Sequence, residues 1–387
     1  MSESPAHFDF DTPIDRRAVP GEKWDRYAGR DVIPMWVADM DFAAPRVVLE
    51  AIRQRLAHGV LGYTEAWPSL LQTVATALAR DHGWAVEPDW ITFIPGVVPG
   101  FNAACRLAGE SGDGVLTATP VYPPFLLAPA NTHRHLEKVD LIRQGDRWEW
   151  DWPALAAAAS PRSRLLMLCN PHNPVGRVFD RAELQGLADF AVERDLMICS
   201  DEIHCGLVLD PATPHIPIAS LGPQVARRTI TLMAPSKTWN IPALYCAFAV
   251  IPDPGLRTRY RRALRGLVPH VNVLGLVAAE AAYRDGEPWR QALLAYLRTS
   301  RERVMKAVAA MPGLATTRPQ ATYLAWIDCR EMLAQRGIKD PARFFENAGV
   351  GLSDGAPFGA PGFVRLNFGC PTATLAEGLA RMARALA

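Results

Sequence analysis

The sequence lacks the features that mark several large classes of protein. Its 41 Lys and Arg residues face 40 Asp and Glu residues, which leaves a formal charge of +1. Without a basic excess to neutralise phosphates, we expect no nucleic-acid partner. The longest uninterrupted apolar stretches, such as residues 244–251, are far shorter than the roughly 18 residues that would indicate a membrane span. We therefore expect no association with a membrane.

The chain also has few cysteines, and they are scattered. None of the seven belongs to a Cys-x-x-Cys pair, and Cys169, Cys199 and Cys246 stand within apolar runs. The first residues lack the basic start and apolar run of a secretion signal. These features predict reduced, buried thiols in a cytoplasmic protein. A metal site is not expected, because His204 has no second histidine or cysteine pair at ligand spacing.

Apolar residues make up 49% of the 387 residues, which is typical of soluble globular proteins of two or three folding units. Short apolar runs bounded by Pro, Gly, Asp or Asn alternate with longer helical patterns over the first 253 residues. Such alternation predicts a mainly parallel sheet with helices on both faces. The predicted strands are residues 90–94, 114–118, 164–169, 196–200, 229–234 and 244–251.

The helical patterns complete this α/β prediction. Helices are predicted over 101–108, 152–159 and 181–195, the last beginning after Asp180 with Glu183 as the partner of a capping box. After residue 253 long helical patterns dominate, over 255–265, 271–284 and 287–310. They are followed by apolar segments at 322–328 and 363–368 that enclose another helix, and by a terminal helix. This second part predicts a smaller α+β domain.

Three polar segments follow predicted strands in order. They are Asn-Pro-His-Asn-Pro-Val-Gly at 170–176, Ser-Asp-Glu-Ile-His at 200–204, and Ser-Lys at 236–237. Taken singly, the first is typical of a turn, the second of a helix cap or metal ligand, and the third of a surface charge. Together they place an amide, a carboxylate and an amine at the edge of a parallel sheet where ligands bind. Pyridoxal 5′-phosphate, whose ring nitrogen needs a carboxylate and whose aldehyde needs a lysine, would use this set.

With these three segments in this order, the sequence resembles fold-type I pyridoxal-phosphate enzymes of the class I/II aminotransferase superfamily. More narrowly it resembles the MalY/PatB-type branch, the cystathionine β-lyase-like C–S lyases. The matching stretches run from about residue 8 to the final helix and include Pro-Met-Trp-Val-Ala-Asp-Met-Asp-Phe at 34–42 and Ser-Asp-Glu-Ile-His at 200–204. The resemblance implies a large domain over residues 45–285 with a mainly parallel seven-stranded sheet, and a small α+β domain formed by residues 1–44 and 286–387.

The resemblance also implies roles around the cofactor ring. Lys237 would carry the cofactor and act as acid and base at the substrate's α-carbon, while Asp201 would keep the pyridine nitrogen protonated. Asn173 and His204 would bond the phenolic oxygen of the ring. Tyr122 would stack on the ring face, and with Lys237 and Asp201 it completes the predicted catalytic set.

The cofactor phosphate would lie at the start of the helix that continues through residue 101. The backbone N–H groups of Gly96, Val97 and Val98 would bind it, because a helix N-terminus favours an anion. Ser236 would add a donor, and Tyr63 would reach across from the other subunit of a homodimer with shared active sites. Aminotransferases usually place an arginine a few residues after the lysine, and residues 241–246 contain none.

The substrate is expected to be an amino acid. Arg365 would clamp its α-carboxylate with two parallel hydrogen bonds, and Trp36, Ala38 and Asn173 would complete the binding wall. Two positions depart from the branch: Gly206 and Pro123 stand where Asp and Tyr are expected.

The predicted function is α,β-elimination from cystathionine or cysteine S-conjugates to a thiol, pyruvate and ammonia. Transamination by the same residues is one alternative. A regulatory or sensor protein that uses the fold as a binding surface is another.

Overall fold

The protein has an α/β fold, and its computed structural model describes residues 8–387. Residues 1–7 of the predicted small domain lie outside the described residues. The strands are β1 (Ile33–Pro34), β2 (Ile91–Ile94), β3 (Gly114–Thr119), β4 (His135–Asp140), β5 (Ile142–Gln144), β6 (Arg147–Glu149), β7 (Ser163–Cys169), β8 (Met197–Asp201), β9 (Thr229–Met233), β10 (Ala247–Val250), β11 (Ala315–Thr316), β12 (Leu324–Asp328), β13 (Val350–Gly351), β14 (Ser353–Asp354) and β15 (Phe363–Asn367).

The helices connect these strands and cover them. They are α1 (Glu22–Asp25), α2 (Arg46–Ala57), α3 (Pro68–His82), α4 (Val97–Leu107), α5 (Pro123–Asn131), α6 (Trp152–Ala158), α7 (Arg181–Glu193), α8 (Pro223–Ala226), α9 (Pro254–Leu264), α10 (Val273–Asp285), α11 (Glu287–Ala309), α12 (Arg330–Arg336), α13 (Pro341–Asn347) and α14 (Thr372–Leu386). Among the described residues no helix combines the length and apolar character needed to cross a membrane.

A seven-stranded sheet in the order β2-β10-β9-β8-β7-β3-β4 forms the centre of the molecule. Strands β4, β3, β7, β8 and β9 pair in parallel, and β10 runs antiparallel to both β9 and β2. The prediction of a mainly parallel sheet is confirmed. Each of the six predicted strands of the first 253 residues overlaps an observed one.

Helices cover both faces of this sheet, as the alternating pattern predicts. The side chains of Ile230 and Leu232 on β9 belong to an apolar core shared with α4 and α9. On the opposite face, Leu166 on β7 and Ile198 on β8 belong to a core shared with α6 and α7. Asp180 caps α7 and forms the predicted capping box with Glu183.

A second, four-stranded antiparallel sheet has the order β11-β12-β15-β14 and lies in the C-terminal part of the chain. The N-terminal segment joins this part, because Ile33 of β1 pairs in parallel with Val350 of β13. The long helix α11 leads into it from the large sheet. The domain boundaries at residues 45 and 286 stay a prediction.

Candidate active site

A cavity of about 600 Å³ opens at the carboxyl ends of the parallel strands. Asp201 ends β8, Asn173 lies in the loop after β7, and Lys237 follows β9. The register aligns Cys169 at the end of β7 with Asp201, and so fixes the two strand ends side by side. Three segments that are separate in the sequence therefore meet at the wall of one cavity.

The partly buried side chain of Lys237 extends its amine into this cavity. Its Nζ atom donates a hydrogen bond to the carbonyl oxygen of Ala38 over 2.7 Å, a contact between residues 199 positions apart. Burial lowers the pKa of Lys237 to about 8, because the cation loses hydration. An amine with this pKa is partly neutral near pH 7, which a nucleophile and a base both require.

Asp201 presents a carboxylate that is almost fully buried. Its Oδ1 atom accepts a hydrogen bond from the backbone N–H of Ile203 at 3.1 Å. Burial, with a smaller contribution from the charge of Glu202, raises the pKa of Asp201 to about 7, although the Ile203 hydrogen bond and Lys237 act in the opposite direction. A buried carboxylate of this kind gains most from a cationic partner such as a protonated ring nitrogen.

Arg365, on the central strand pair of the small sheet, extends a buried guanidinium into the same cavity. Nη1 donates to Asn173 Oδ1 at 3.0 Å, and Nη2 donates to the carbonyl oxygen of Trp36 at 2.9 Å and to Ser353 Oγ at 3.3 Å. Its Nε atom is buried without a partner, and no carboxylate of residues 8–387 pairs with it. Burial lowers the pKa of Arg365 to about 10, so the group keeps its charge at neutral pH.

His204 and Tyr122 complete the polar wall. His204 is buried, and its Nδ1 atom has no hydrogen-bond partner within the described chain. Burial, reinforced by the charges of Lys237 and Arg365, lowers the pKa of His204 to about 3, so the imidazole is neutral. Tyr122 directly precedes α5 and lines the cavity. Burial raises the pKa of its hydroxyl, which therefore stays protonated.

Helix α4 begins at the cavity. Gly96 precedes it with a φ of 116°, a conformation that favours glycine, and supplies no side-chain cap. The N–H groups of the first turn, at Val97 and Val98, therefore point away from the helix without a side-chain acceptor. Ser236 lies on the same wall. The arrangement offers several donors and a helix N-terminus to one anion.

Two predicted residues do not line the cavity. Tyr63 is fully exposed in the single chain and lies in the irregular segment between α2 and α3. Trp36 turns its indole away: Nε1 donates to the carbonyl oxygen of Lys23 at 3.1 Å, and only its own carbonyl oxygen reaches Arg365. The contribution of Trp36 to this site is therefore a backbone one.

The structure adds residues that the sequence reasoning missed. Arg16, Lys23 and Asp39 line the cavity, and the hydroxyl of Tyr323 shares the Ala38 carbonyl oxygen with Lys237 at 2.8 Å. Asp39 belongs to the stretch at 34–42 that carries the family resemblance. The alternation of acidic and apolar residues in this stretch is the sequence signal that could have identified Asp39.

The unusual residues Gly206 and Pro123 have structural explanations. A Cβ atom at Gly206 would lie 2.5 Å from Thr238 Oγ1, so a larger residue requires the Thr238 side chain to move. Pro123 occupies the first turn of α5, a position that tolerates proline because its N–H would be unpaired there.

Comparison with known proteins agrees with this geometry. The family model described as "Aminotransferase class I and II" matches residues 30–382. Cystathionine beta-lyase PatB of Bacillus subtilis (strain 168) is 36% identical over 97% of this chain and 99% of its own length. The predicted resemblance to the superfamily and to its C–S lyase branch is confirmed.

Solved structures give the same result. The crystal structure of OvoB matches with a TM-score of 0.95 and 46% identity, covering 98% of this chain and 99% of that one. The PLP-bound C–S lyase from Staphylococcus hominis matches with a TM-score of 0.91 and 32% identity, covering 98% of each chain. The predicted fold class is therefore confirmed, and the chain belongs to the class I and II aminotransferase family.

Proposed function

We propose that this protein is a pyridoxal-phosphate-dependent C–S β-lyase that cleaves cystathionine or related cysteine S-conjugates. The observation that carries the proposal is that one cavity holds the Lys237 amine, the Asp201 carboxylate and the Arg365 guanidinium, which has no carboxylate partner among residues 8–387. The sequence identity of 36% to a cystathionine beta-lyase and of 32% to a PLP-bound C–S lyase supports elimination over transamination.

The cavity offers the charges and hydrogen-bond donors that the cofactor requires. Lys237 would hold its aldehyde carbon, Asp201 its ring nitrogen, and the first turn of α4 with Ser236 its phosphate. Asn173 and His204 would bond the phenolic oxygen, and Tyr122 would cover the ring. When bound, pyridoxal phosphate withdraws electrons from the substrate's α-carbon, which allows a group on the β-carbon to leave.

Arg365 binds and orients the substrate. Asn173, Ser353 and the Trp36 carbonyl oxygen hold its two terminal nitrogens, so the plane of the guanidinium is fixed before substrate arrives. A planar fork matches a carboxylate in two bonds and gives the α-carbon a single orientation. A guanidinium fixed in this way selects substrates with a carboxylate next to the reacting carbon, as in α-amino acids.

Lys237 moves the protons. Its neutral amine takes the proton from the α-carbon, and the ammonium that forms returns a proton to the departing thiolate. Asp201 would stay anionic and keep the ring nitrogen of the bound cofactor protonated. The remaining three-carbon unit reacts with one water to give pyruvate and ammonia.

A product assay with the purified holoenzyme tests the proposal. With L-cystathionine we expect thiol, measured with a disulfide reagent, and pyruvate, measured with lactate dehydrogenase, in equal amounts. Lys237→Ala serves as the matched inactive control. A reaction that needs an added 2-oxo acid and releases no thiol would show an aminotransferase. Absence of any turnover, with an unchanged visible spectrum, would favour the sensor alternative.

We also propose a homodimer with two shared sites, in the cytoplasm. The exposed apolar segment around Val60, Leu61 and Tyr63 supports the dimer, because a second chain would cover it. The seven cysteines are all free, and six are buried, as is usual in a reducing compartment. Sedimentation gives the oligomeric state. In a dimer, Tyr63→Phe should weaken cofactor binding, and an unchanged affinity would contradict the shared site.

A further inference from the structure

The carboxylate of Asp39 lies at the cavity wall on a backbone that is held firmly. The N–H of Asp39 donates to the Val37 carbonyl oxygen at 3.0 Å. Its own carbonyl oxygen accepts from Lys23 Nζ at 3.0 Å and from Asn367 Nδ2 at 2.7 Å. These bonds limit how far the side chain can move from the cavity.

One oxygen of this carboxylate is occupied and the other is free. Oδ2 pairs with Arg16 Nη1 at 2.7 Å. Oδ1 is buried and has no hydrogen-bond partner within residues 8–387. A buried carboxylate oxygen without a donor is costly, so it favours a cation nearby.

Lys237 supplies such a cation. Its Nζ atom is bonded to the carbonyl oxygen of Ala38, the residue that precedes Asp39. The charged groups acting on Lys237 are Asp39, Asp201 and Arg365. Of the two carboxylates Asp39 does more to raise the pKa of Lys237, against the lowering by burial and by Arg365. Tyr323 and His204, which also adjoin the amine, are neutral.

We infer that Asp39 is a positioning residue that holds the Lys237 amine at the Ala38 carbonyl and stabilises its ammonium form. The inference rests on the proposed lyase function. When Lys237 takes the α-proton, a new N–H bond forms and the electron pair of the broken C–H bond stays with the substrate carbon. The resulting ammonium then faces Asp39 until it gives up the proton.

A purely structural role would serve only to tie the N-terminal segment to the cavity. Asp41 already does this: its Oδ2 pairs with Lys23 at 2.9 Å, and its Oδ1 accepts from Arg16 at 2.8 Å and from Trp24 at 3.1 Å. Arg16 and Lys23 therefore both keep a carboxylate partner when Asp39 is changed. The negative charge at Asp39 is not needed to hold them.

The test uses the holoenzyme of Asp39→Asn and follows the pH titration of the visible absorbance of the lysine-linked cofactor. Removing the negative charge should lower the midpoint by about one pH unit, the shift usual for a nearby charge. The kcat for the lyase reaction should fall about tenfold, because the base is weaker. The acidic limb of the plot of kcat against pH should move to lower pH, while the KM stays within about twofold of wild type.

Two further variants make the result specific. Arg16→Gln leaves Asp39 without its counter-charge, so the absorbance midpoint should move to higher pH. Glu22→Gln removes another carboxylate that lines the cavity but does not act on Lys237, and should leave the midpoint unchanged.

Unchanged midpoints in both Asp39→Asn and Arg16→Gln, or an equal shift in Glu22→Gln, would overturn the inference. If Asp39→Asn fails to fold, the direction of the Arg16→Gln shift decides. Absence of lyase turnover in wild type would overturn the proposed function instead, and the absorbance titration would still test Asp39.

Discussion

Replacement of Arg365 by lysine tests how the protein holds the substrate's carboxylate. The substitution keeps a positive charge but removes the planar fork. The two terminal nitrogens of Arg365 donate to Asn173, Ser353 and the Trp36 carbonyl oxygen, and Nε has no hydrogen-bond partner in the described part of the chain. A single ammonium cannot bond these acceptors and a carboxylate in parallel.

The magnitude follows from the bonds that are lost. A hydrogen bond to a charged group contributes about 1.5–3 kcal/mol, and about 1.4 kcal/mol corresponds to a factor of ten. Loss of one of two parallel bonds therefore predicts a KM that rises about 10- to 100-fold. Burial adds to the effect: it already lowers the pKa of Arg365 to about 10, and a lysine there would lose its charge more readily.

The assay is steady-state pyruvate release with cystathionine and with a smaller cysteine conjugate. The loss in kcat/KM should be similar for both, since both carry the same α-carboxylate. The visible spectrum should stay unchanged, because Arg365 does not contact the cofactor in the proposed arrangement. Arg259→Lys, on the exposed face of α9, is the matched control. A KM within about twofold of wild type would refute the carboxylate clamp.

Two other predictions concern the cofactor. Asp201→Asn should retain the cofactor but lose activity by roughly 10²- to 10³-fold, because a neutral amide cannot hold the ring proton; a nearly wild-type kcat would remove Asp201 from that role. The rate at which cofactor-free protein takes up pyridoxal phosphate, followed by absorbance, should rise with pH and level off above about 8, the pKa of Lys237, since only the neutral amine attacks. A rate that keeps rising towards the pKa of an ordinary lysine would contradict the burial effect.

The central strands could be predicted because they contain strong apolar runs, whereas the polar edge strand could not. Strands β3 and β9 are buried along their whole length, and β7 is buried everywhere except at Arg164 and contains the apolar run Leu-Leu-Met-Leu-Cys. The edge strand β4 was missed because its sequence, His-Leu-Glu-Lys-Val-Asp, is mostly polar and exposes three of its six residues. Helices α2 and α3 were also missed, since the prediction followed the alternation of strands and started too far along the chain.

The candidate site could be predicted where it lies at strand ends and not where it depends on folding at a distance. Asp201 and Lys237 directly follow apolar runs, which the sequence displays. The Ala38 carbonyl oxygen that receives Lys237 is 199 positions away, and a backbone acceptor has no residue signature. The same holds for the Trp36 carbonyl oxygen at Arg365. Tyr63 does not line the cavity of one chain, so its predicted role in a shared site stays a prediction.

The identity of the cofactor-bearing lysine is the most direct test of the account. The chain has five lysines, and two of them, Lys237 and Lys23, line the cavity. Lys23 is held by Asp41 and the Asp39 carbonyl oxygen, whereas among residues 8–387 the Lys237 amine bonds only to the Ala38 carbonyl oxygen. After borohydride reduction of the holoenzyme and proteolysis, mass spectrometry should find the cofactor on the peptide that contains Lys237. The cofactor on Lys23, or on neither lysine, would contradict the proposed active site.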